Sequence, residues 1–278
     1  MIALAGTTLV TGRLEECKSI LQTFAKYEHH GLLPNLFPEG DVEPMYNSVD
    51  APLLFINAVY EYIQTSKDNA FLQEVWDVLK RIMTAYEKGT DYHIGMDSDC
   101  LIQAGADLEQ LTWMDVRVGE YLPTPRHGKP VEINAYWYND LEIMKQFALL
   151  QQDNELAQHY AELADKVKEA FLLKFWNEEE NCLKDVLSGN SEENQVRCNQ
   201  VWVLSMPYTM LPKEKELCVL HKIKEELYTT AGLRTLSPKD SAFHDIYIGS
   251  MQERDRAYHQ GTVWAVSYTH LTLPTKRI

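Results

Sequence analysis

"APLLFINAVYEYIQTSKDNAFLQEVWDVLKRIMTAYEKG", residues 51–89, joins two helical stretches of opposite character. Residues 51–63 are apolar nearly all round, as a helix covered on both faces must be. The second stretch places Phe71, Leu72, Val75, Leu79, Ile82, Met83 and Tyr86 on one stripe. Asp68 stands at its N-cap and Gly89 at its stop. A covered helix followed by a one-faced helix over a short polar link predicts a hairpin with an inner and an outer member.

The alternation repeats outward from there. "INAYWYNDLEIMKQFALL" (133–150) is apolar all round, and "NELAQHYAELADKVKEAFLLKFW" (154–176) carries a stripe through Leu156, Tyr160, Leu163, Val167, Phe171 and Phe175. "RLEECKSILQTFAKY" (13–27) and "KEKELCVLHKIKEEL" (213–227) are amphipathic through Leu14, Cys17, Leu21 and Phe24, and through Leu217, Leu220, Ile223 and Leu227. The pattern is all-α, built of stacked helical hairpins. Tyr136, Trp137 and Tyr138 are consecutive, so at helical spacing they do not share one face; at least one is expected to meet a cavity or solvent. Between the helices run long segments, 28–48, 91–130, 177–198 and 229–258, rich in Gly, Pro, Asp and aromatic residues. Segments of that length inside a domain are usually functional.

At 278 residues and 45% hydrophobic the chain can bury a large core. A net charge of -15 argues against nucleic-acid or anionic-membrane partners, because phosphate binding needs a basic surface. The five cysteines, Cys17, Cys100, Cys182, Cys198 and Cys218, are scattered without paired spacing, which suits a reducing compartment better than disulfides or a zinc site. No run is long and apolar enough to span a bilayer, and "MIALAGTTLVTG" has no basic residue before Arg13 to mark a signal peptide. A cytoplasmic location is expected, with no metal or cofactor.

Walker loops, GxGxxG, His-Glu-x-x-His and nucleophile elbows do not occur. The chemistry-bearing residues sit in loops dense in carboxylates and rings, "QLTWMDVRVG" (110–119) above all. Aromatic faces and Asp, Asn, Gln and Arg side chains together suit a neutral sugar. Hydrolysis of a glycoside needs one protonated and one ionised carboxyl. Asp115, two residues after Trp113, fits the protonated one if the indole strips its water and raises its pKa; the other reading is a structural hydrogen bond. Glu132 and Asn134, just ahead of a helix, cap it or reach a ligand, and His259 is a buried core histidine or a contact.

Four strings resemble one family: "GLLPNLFPEGDVEPMYNSVDAPL" (31–53), "LTWMDVRVG…TPRHGKPVEINAYWYN" (111–139), "GLRTLSPKDSAFHD" (232–245) and "RDRAYHQGTVWA" (254–265). They are similar to the amylo-α-1,6-glucosidase region of bacterial glycogen debranching enzymes. The resemblance implies an (α/α) toroid of the six-hairpin glycosidase type, hydrolysis of α-1,6-linked glucose at branch points of glycogen-like glucans with inversion, and Asp115 as general acid. It makes Asp50, Trp113, Glu132, Asn134, Trp137, Asn139, Asn199, Gln200, His259 and Gln260 candidate sugar contacts. Cys198 stands where the family has proline. Residues 1–265 are expected to form a partial toroid, incomplete at both ends. The family's "WGRD"-type string would precede Met1, and its second catalytic carboxylate would follow the last matching string. Residues 266–278, "VSYTHLTLPTKRI", read as a foreign or frameshifted tail, and the chain alone is expected to show little activity. Asp240, Asp245 and Glu253 are not assigned as the base. The alternatives are a toroid glycosidase of glucoamylase or trehalase type and a glucan-binding scaffold without catalysis.

Overall fold

The computed structural model describes residues 1–39, 43–189 and 191–264; the tail from 266 lies outside them. A π-helical turn, Ala5–Leu9, precedes α1 (Leu14–Lys26), α2 (Ala51–Ser66) and α3 (Asn69–Lys88). Short strands β1 (Gly95–Met96), β2 (Ile102–Gln103) and β3 (Lys129–Pro130) lead into α4 (Val131–Leu150) and α5 (Asn154–Lys174). After β4 (Trp176–Asn177), β5 (Cys182–Leu183) and β6 (Val186–Leu187) come α6 (Val201–Ser205) and α7 (Lys213–Glu226). The described chain closes with β7 (Tyr228–Thr229), β8 (Gly232–Arg234), α8 (Met251–Ala257) and β9 (Val263–Trp264).

The 51–89 stretch folds as its pattern dictates. All seven stripe residues of α3 are buried, the Asp68 carboxylate accepts the Phe71 N–H at 3.2 Å, and Gly89 ends the helix at φ +93°. α2 buries residues on every side, from Pro52 to Ile63. In α5, Asp153 caps the start by accepting the Leu156 N–H at 3.0 Å, and Tyr160, Leu163, Val167 and Phe171 face inward. In α7, Leu220 and Ile223 are buried beside Val219, while Leu217 stays half-buried. α2 packs on α4 and α4 on α6, and each is backed by the helix that follows it, α3, α5 or α7. Three hairpins thus stand side by side, their inner members in one row.

Two expectations change. The described chain is not purely helical: the loops fold into four small antiparallel pieces, β1–β2, β3–β6, β4–β5 and β7–β8–β9. Long segments pressed against a core must pair their backbone N–H and C=O groups somewhere, and these ladders do so. The β3–β6 pair, with Lys129 opposite Leu187, sets the start of α4. It passes so close to Gly128 (φ +104°) that a Cβ there would sit 2.3 Å from the Leu187 carbonyl oxygen, so only glycine fits. Second, Tyr136, Trp137 and Tyr138 are all buried, at 2%, 0% and 8% exposure. α4 is wrapped on all sides. Tyr136 meets Trp202 of α6 edge-on, and Trp137 stacks near Tyr86 of α3. Each large buried side chain of this kind contributes roughly 1.5–3 kcal/mol of hydrophobic stabilisation.

The five cysteines are free. Among the described residues no helix is long and apolar enough to cross a membrane, and no cluster of three or more His, Cys, Asp or Glu is arranged for a metal ion.

Candidate active site

Asp50 sits at the start of α2, where the chain turns from the 43–49 loop into the inner row. The Ser48 hydroxyl donates to its carboxylate. The Val49 N–H donates to the Leu111 carbonyl at 2.9 Å, and the Tyr86 hydroxyl to the Val49 carbonyl at 2.7 Å. The first bond fastens the Asp50 loop to the loop that carries Trp113 and Asp115, and the second fastens it to α3. Burial pushes the Asp50 carboxyl above its ordinary value, the Ser48 hydrogen bond pulls it back, and the charge of Asp115 adds a smaller push upward.

Asp115 lies at the rim of an open cleft of about 450 Å³ whose walls include Asn47, Tyr92, Glu109, Gln110 and Arg117. Its side chain reaches solvent, yet the walls remove enough water to raise its proton affinity, against the pull of a hydrogen bond from its own backbone N–H. A carboxyl treated in this way stays protonated nearer to neutral pH. Glu109 is held by the Ala106 N–H at 2.9 Å and lies 3.3 Å from His93 Nδ1. Two further wall groups, Asn47 Oδ1 and Gln110 Nε2, are buried without hydrogen-bond partners. One accepts and one donates, and buried amides left without partners are rare in folded proteins.

Trp113 belongs to a second wall. Its indole N–H donates to Asn199 Oδ1 at 2.8 Å, and its ring meets His259 and Trp264 edge-on at 5.3 and 6.0 Å. Asn199 Nδ2 donates to Asp185 Oδ1 at 2.7 Å, and Arg126 Nε donates to Asp185 Oδ2 at 2.8 Å. Arg126 then forks onto both Glu132 oxygens, one of them at 2.6 Å. Arg197 donates to the His259 carbonyl and to Gln260 Oε1, each at 2.7 Å, while Gln260 Nε2 donates to the Pro123 carbonyl at 2.6 Å. Burial opposes the charge on Arg126, but Asp185 and Glu132 together outweigh it and hold the guanidinium protonated. Burial, then Arg197 and Arg126, push His259 down to about 3, so its ring is neutral at ordinary pH. Its Nδ1 has no hydrogen-bond partner.

The candidate residues therefore divide. Asp115 lines the open cleft, Asp50 lies near enough to feel its charge without lining it, and Trp113, Asn199, His259 and Gln260 form the wall described above. Glu132 and Asn134 do not precede a helix: α4 begins at Val131, so both lie in its first turns. Glu132 is closed into the Arg126 pair. Asn134 accepts from the Ile102 N–H at 2.7 Å and donates to the Ile102 and Pro130 carbonyls at 3.1 and 3.0 Å, clamping β2 onto the helix. Trp137 donates to the Cys100 carbonyl at 3.2 Å, Asn139 bridges Asn57 and the Tyr208 N–H at 3.1 and 3.2 Å, and Gln200 Oε1 accepts the Leu183 N–H at 3.3 Å. In this structure these are loop-to-helix ties. Sequence reasoning missed Arg126, Asp185 and Arg197, the charges that hold the Trp113 wall, and the unpaired amides of Asn47 and Gln110. Arg126 stands in "TPRHGKPVE" beside His127, Lys129 and Glu132, so nothing in the string singles it out.

A family model described as amylo-alpha-1,6-glucosidase matches residues 1–273. The chain is 25% identical to the glycogen debranching enzyme of Saccharomyces cerevisiae over 96% of its own length and 23% of that protein. It is 27% identical to the mannosyl-oligosaccharide glucosidase of the same yeast over 48% of this chain and 16% of that one. The chain thus spans less than a quarter of either relative. Among solved structures, a rhamnosidase from Klebsiella oxytoca with rhamnose bound aligns with a TM-score of 0.59 at 17% identity, covering 81% of this chain and 40% of that one. A sialidase aligns at 0.63 and 16% identity, covering 92% and 23%. At those identities the structural likeness speaks for the fold alone.

Proposed function

We propose, from the premise that this chain belongs to the amylo-alpha-1,6-glucosidase family, that it forms the site of a glycoside hydrolase cleaving α-1,6-linked glucose at branch points of glycogen-like glucans. Its row of inner helices backed by outer ones is then part of an (α/α) toroid, with the loops at one end making the site.

In this reading Asp115 is the general acid. The glycosidic oxygen accepts the Asp115 proton as the C–O bond to the anomeric carbon breaks. Water attacks the opposite face of an oxocarbenium-like ring, and inversion requires a carboxylate base roughly 6.5–9.5 Å from the acid. Asp50, half-buried and held by Ser48 at the head of α2, suits the binding of a sugar hydroxyl. The Trp113 wall acts through position: Arg126, Asp185 and Asn199 fix the indole, and His259, neutral and buried, packs against its edge.

The observation that carries this reading is the raised proton affinity of Asp115 at the rim of an open cleft. The test is Asp115→Asn in the full-length protein. Release of glucose from a limit dextrin should fall by about 10²–10⁴-fold, the contribution of a positioned general acid, while glucan binding is retained. Unchanged turnover would remove Asp115 from the reaction.

A further inference from the structure

We propose that Arg117, which is not among the candidate contacts above, selects the leaving group: its guanidinium donates to hydroxyls of the glucan residue that keeps the glycosidic oxygen. The assignment rests on the proposed role of Asp115 and adds the residue that chooses what Asp115 releases.

Its placement follows from the chemistry of the acid. A general acid hands its proton to the departing oxygen, so the departing sugar lies on the acid's side of the broken bond, and water enters from the opposite face. Arg117 and Asp115 line the same cleft of about 450 Å³. The backbone just beyond Arg117 is closed into a tight turn, with the Val118 N–H donating to the Tyr121 carbonyl at 2.9 Å and the Tyr121 N–H donating back at 3.0 Å.

Arg117 also differs from the two arginines of the Trp113 wall. Arg126 and Arg197 are buried, and they give their N–H groups to protein oxygens. Arg117 is exposed and, among the described residues, makes neither an ion pair nor a side-chain hydrogen bond, not even with Asp115 two positions away. Burial and a backbone hydrogen bond alone perturb Asp115, so the guanidinium leaves the acid's proton in place and keeps its own donors for a ligand. The same walls carry Tyr92, whose side chain is partly open to solvent at 36% exposure and offers a ring face. They also carry Glu109, a carboxylate already fixed by the Ala106 N–H. An anionic ligand would meet that carboxylate and a chain of net charge -15, whereas a neutral, hydroxyl-bearing sugar meets no such repulsion.

The experiment measures kcat/KM of the full-length wild type, Arg117→Leu, Arg117→Lys and Asp115→Asn on a limit dextrin and on α-D-glucosyl fluoride. In both reactions water supplies the new bond to the anomeric carbon. The dextrin leaves as a hydroxyl that must be given a proton. Fluoride leaves as an anion that needs none, and it presents no hydroxyl to Arg117. A loss of folded protein lowers both rates alike, so the ratio of the two rates is the readout. Arg117→Leu should lower the dextrin rate about tenfold more than the fluoride rate, the loss of a charged hydrogen bond. Arg117→Lys keeps the cation but not the fork and should fall between. Asp115→Asn should likewise depress dextrin far more than fluoride. If Arg117→Leu lowers both rates alike while Asp115→Asn discriminates, the proposal is overturned and Asp115 stands as the acid. If Asp115→Asn lowers both alike, or the wild type turns over neither substrate, the role of Asp115 fails and the placement of Arg117 fails with it.

Discussion

Arg126→Met should be among the most damaging single changes in this chain, and the structure gives its size. Arg126 and Glu132 are 3% and 1% exposed at the side chain, and Asp185 is 3% exposed. Methionine fills the space but leaves two carboxylates in a dry interior. Glu132 loses both of its side-chain donors, whereas Asp185 keeps the Asn199 amide and the more distant Arg197. Removing one partner of a buried pair costs about 3–5 kcal/mol, against a total stability of only about 5–15 kcal/mol. In a chain of this size that lowers the melting temperature by about 10 °C, at about 2–4 °C per kcal/mol. The loss also carries a pH signature. Without Arg126 the buried Glu132 carboxyl holds its proton more tightly in the folded state than in the unfolded state, so stability rises as pH falls from 7 toward about 4. The deficit relative to wild type should therefore shrink on acidification, and Glu132→Gln added to Arg126→Met should recover part of it. Urea unfolding followed by circular dichroism at pH 7 and pH 5 measures both effects. A loss under about 1 kcal/mol at pH 7 that does not change with pH would show that the network is not holding charge as described.

His259 is neutral in the folded protein, with a pKa pushed down to about 3, while the unfolded chain protonates it near 6.5. Below that value the unfolded state binds the extra proton, so stability should fall by about 2 kcal/mol between pH 6.5 and 5. His259→Gln should flatten that slope in urea titrations, and an unchanged slope would assign the effect to other groups. Asp68→Ala removes the cap of α3 and its ion pair to Lys18; loss of the cap alone should cost about 1 kcal/mol, read as a shift in denaturation midpoint without a change in m. No shift would mean that α3 is held by packing alone.

The hairpins were legible because their information is local. Spacing, caps and a stop sufficed for α3, and every residue of its stripe is buried. The three consecutive aromatics of α4 were misread because a one-dimensional stripe assumes one covered face. An inner helix has none left open, and only the packing of α2, α5 and α6 around α4 reveals it. Asp115 and Trp113 stood out as residue types in a loop, but their partners did not. Arg126 reaches Asp185 across 59 positions and Trp113 reaches Asn199 across 86, distances over which no periodicity carries a signal. Asn134, Trp137 and Asn139 were conspicuous as polar and aromatic groups amid apolar neighbours, a pattern that also marks the ties that hold loops down.

One of those ties reaches further than its two ends. Arg197 grips the backbone at His259 and the side chain of Gln260, and Gln260 in turn grips Pro123. Three stretches far apart along the chain are thereby stitched at a single knot, so none can fray by itself. In hydrogen exchange they would loosen as one block, and the loop ends they carry would inherit the stiffness of the interior.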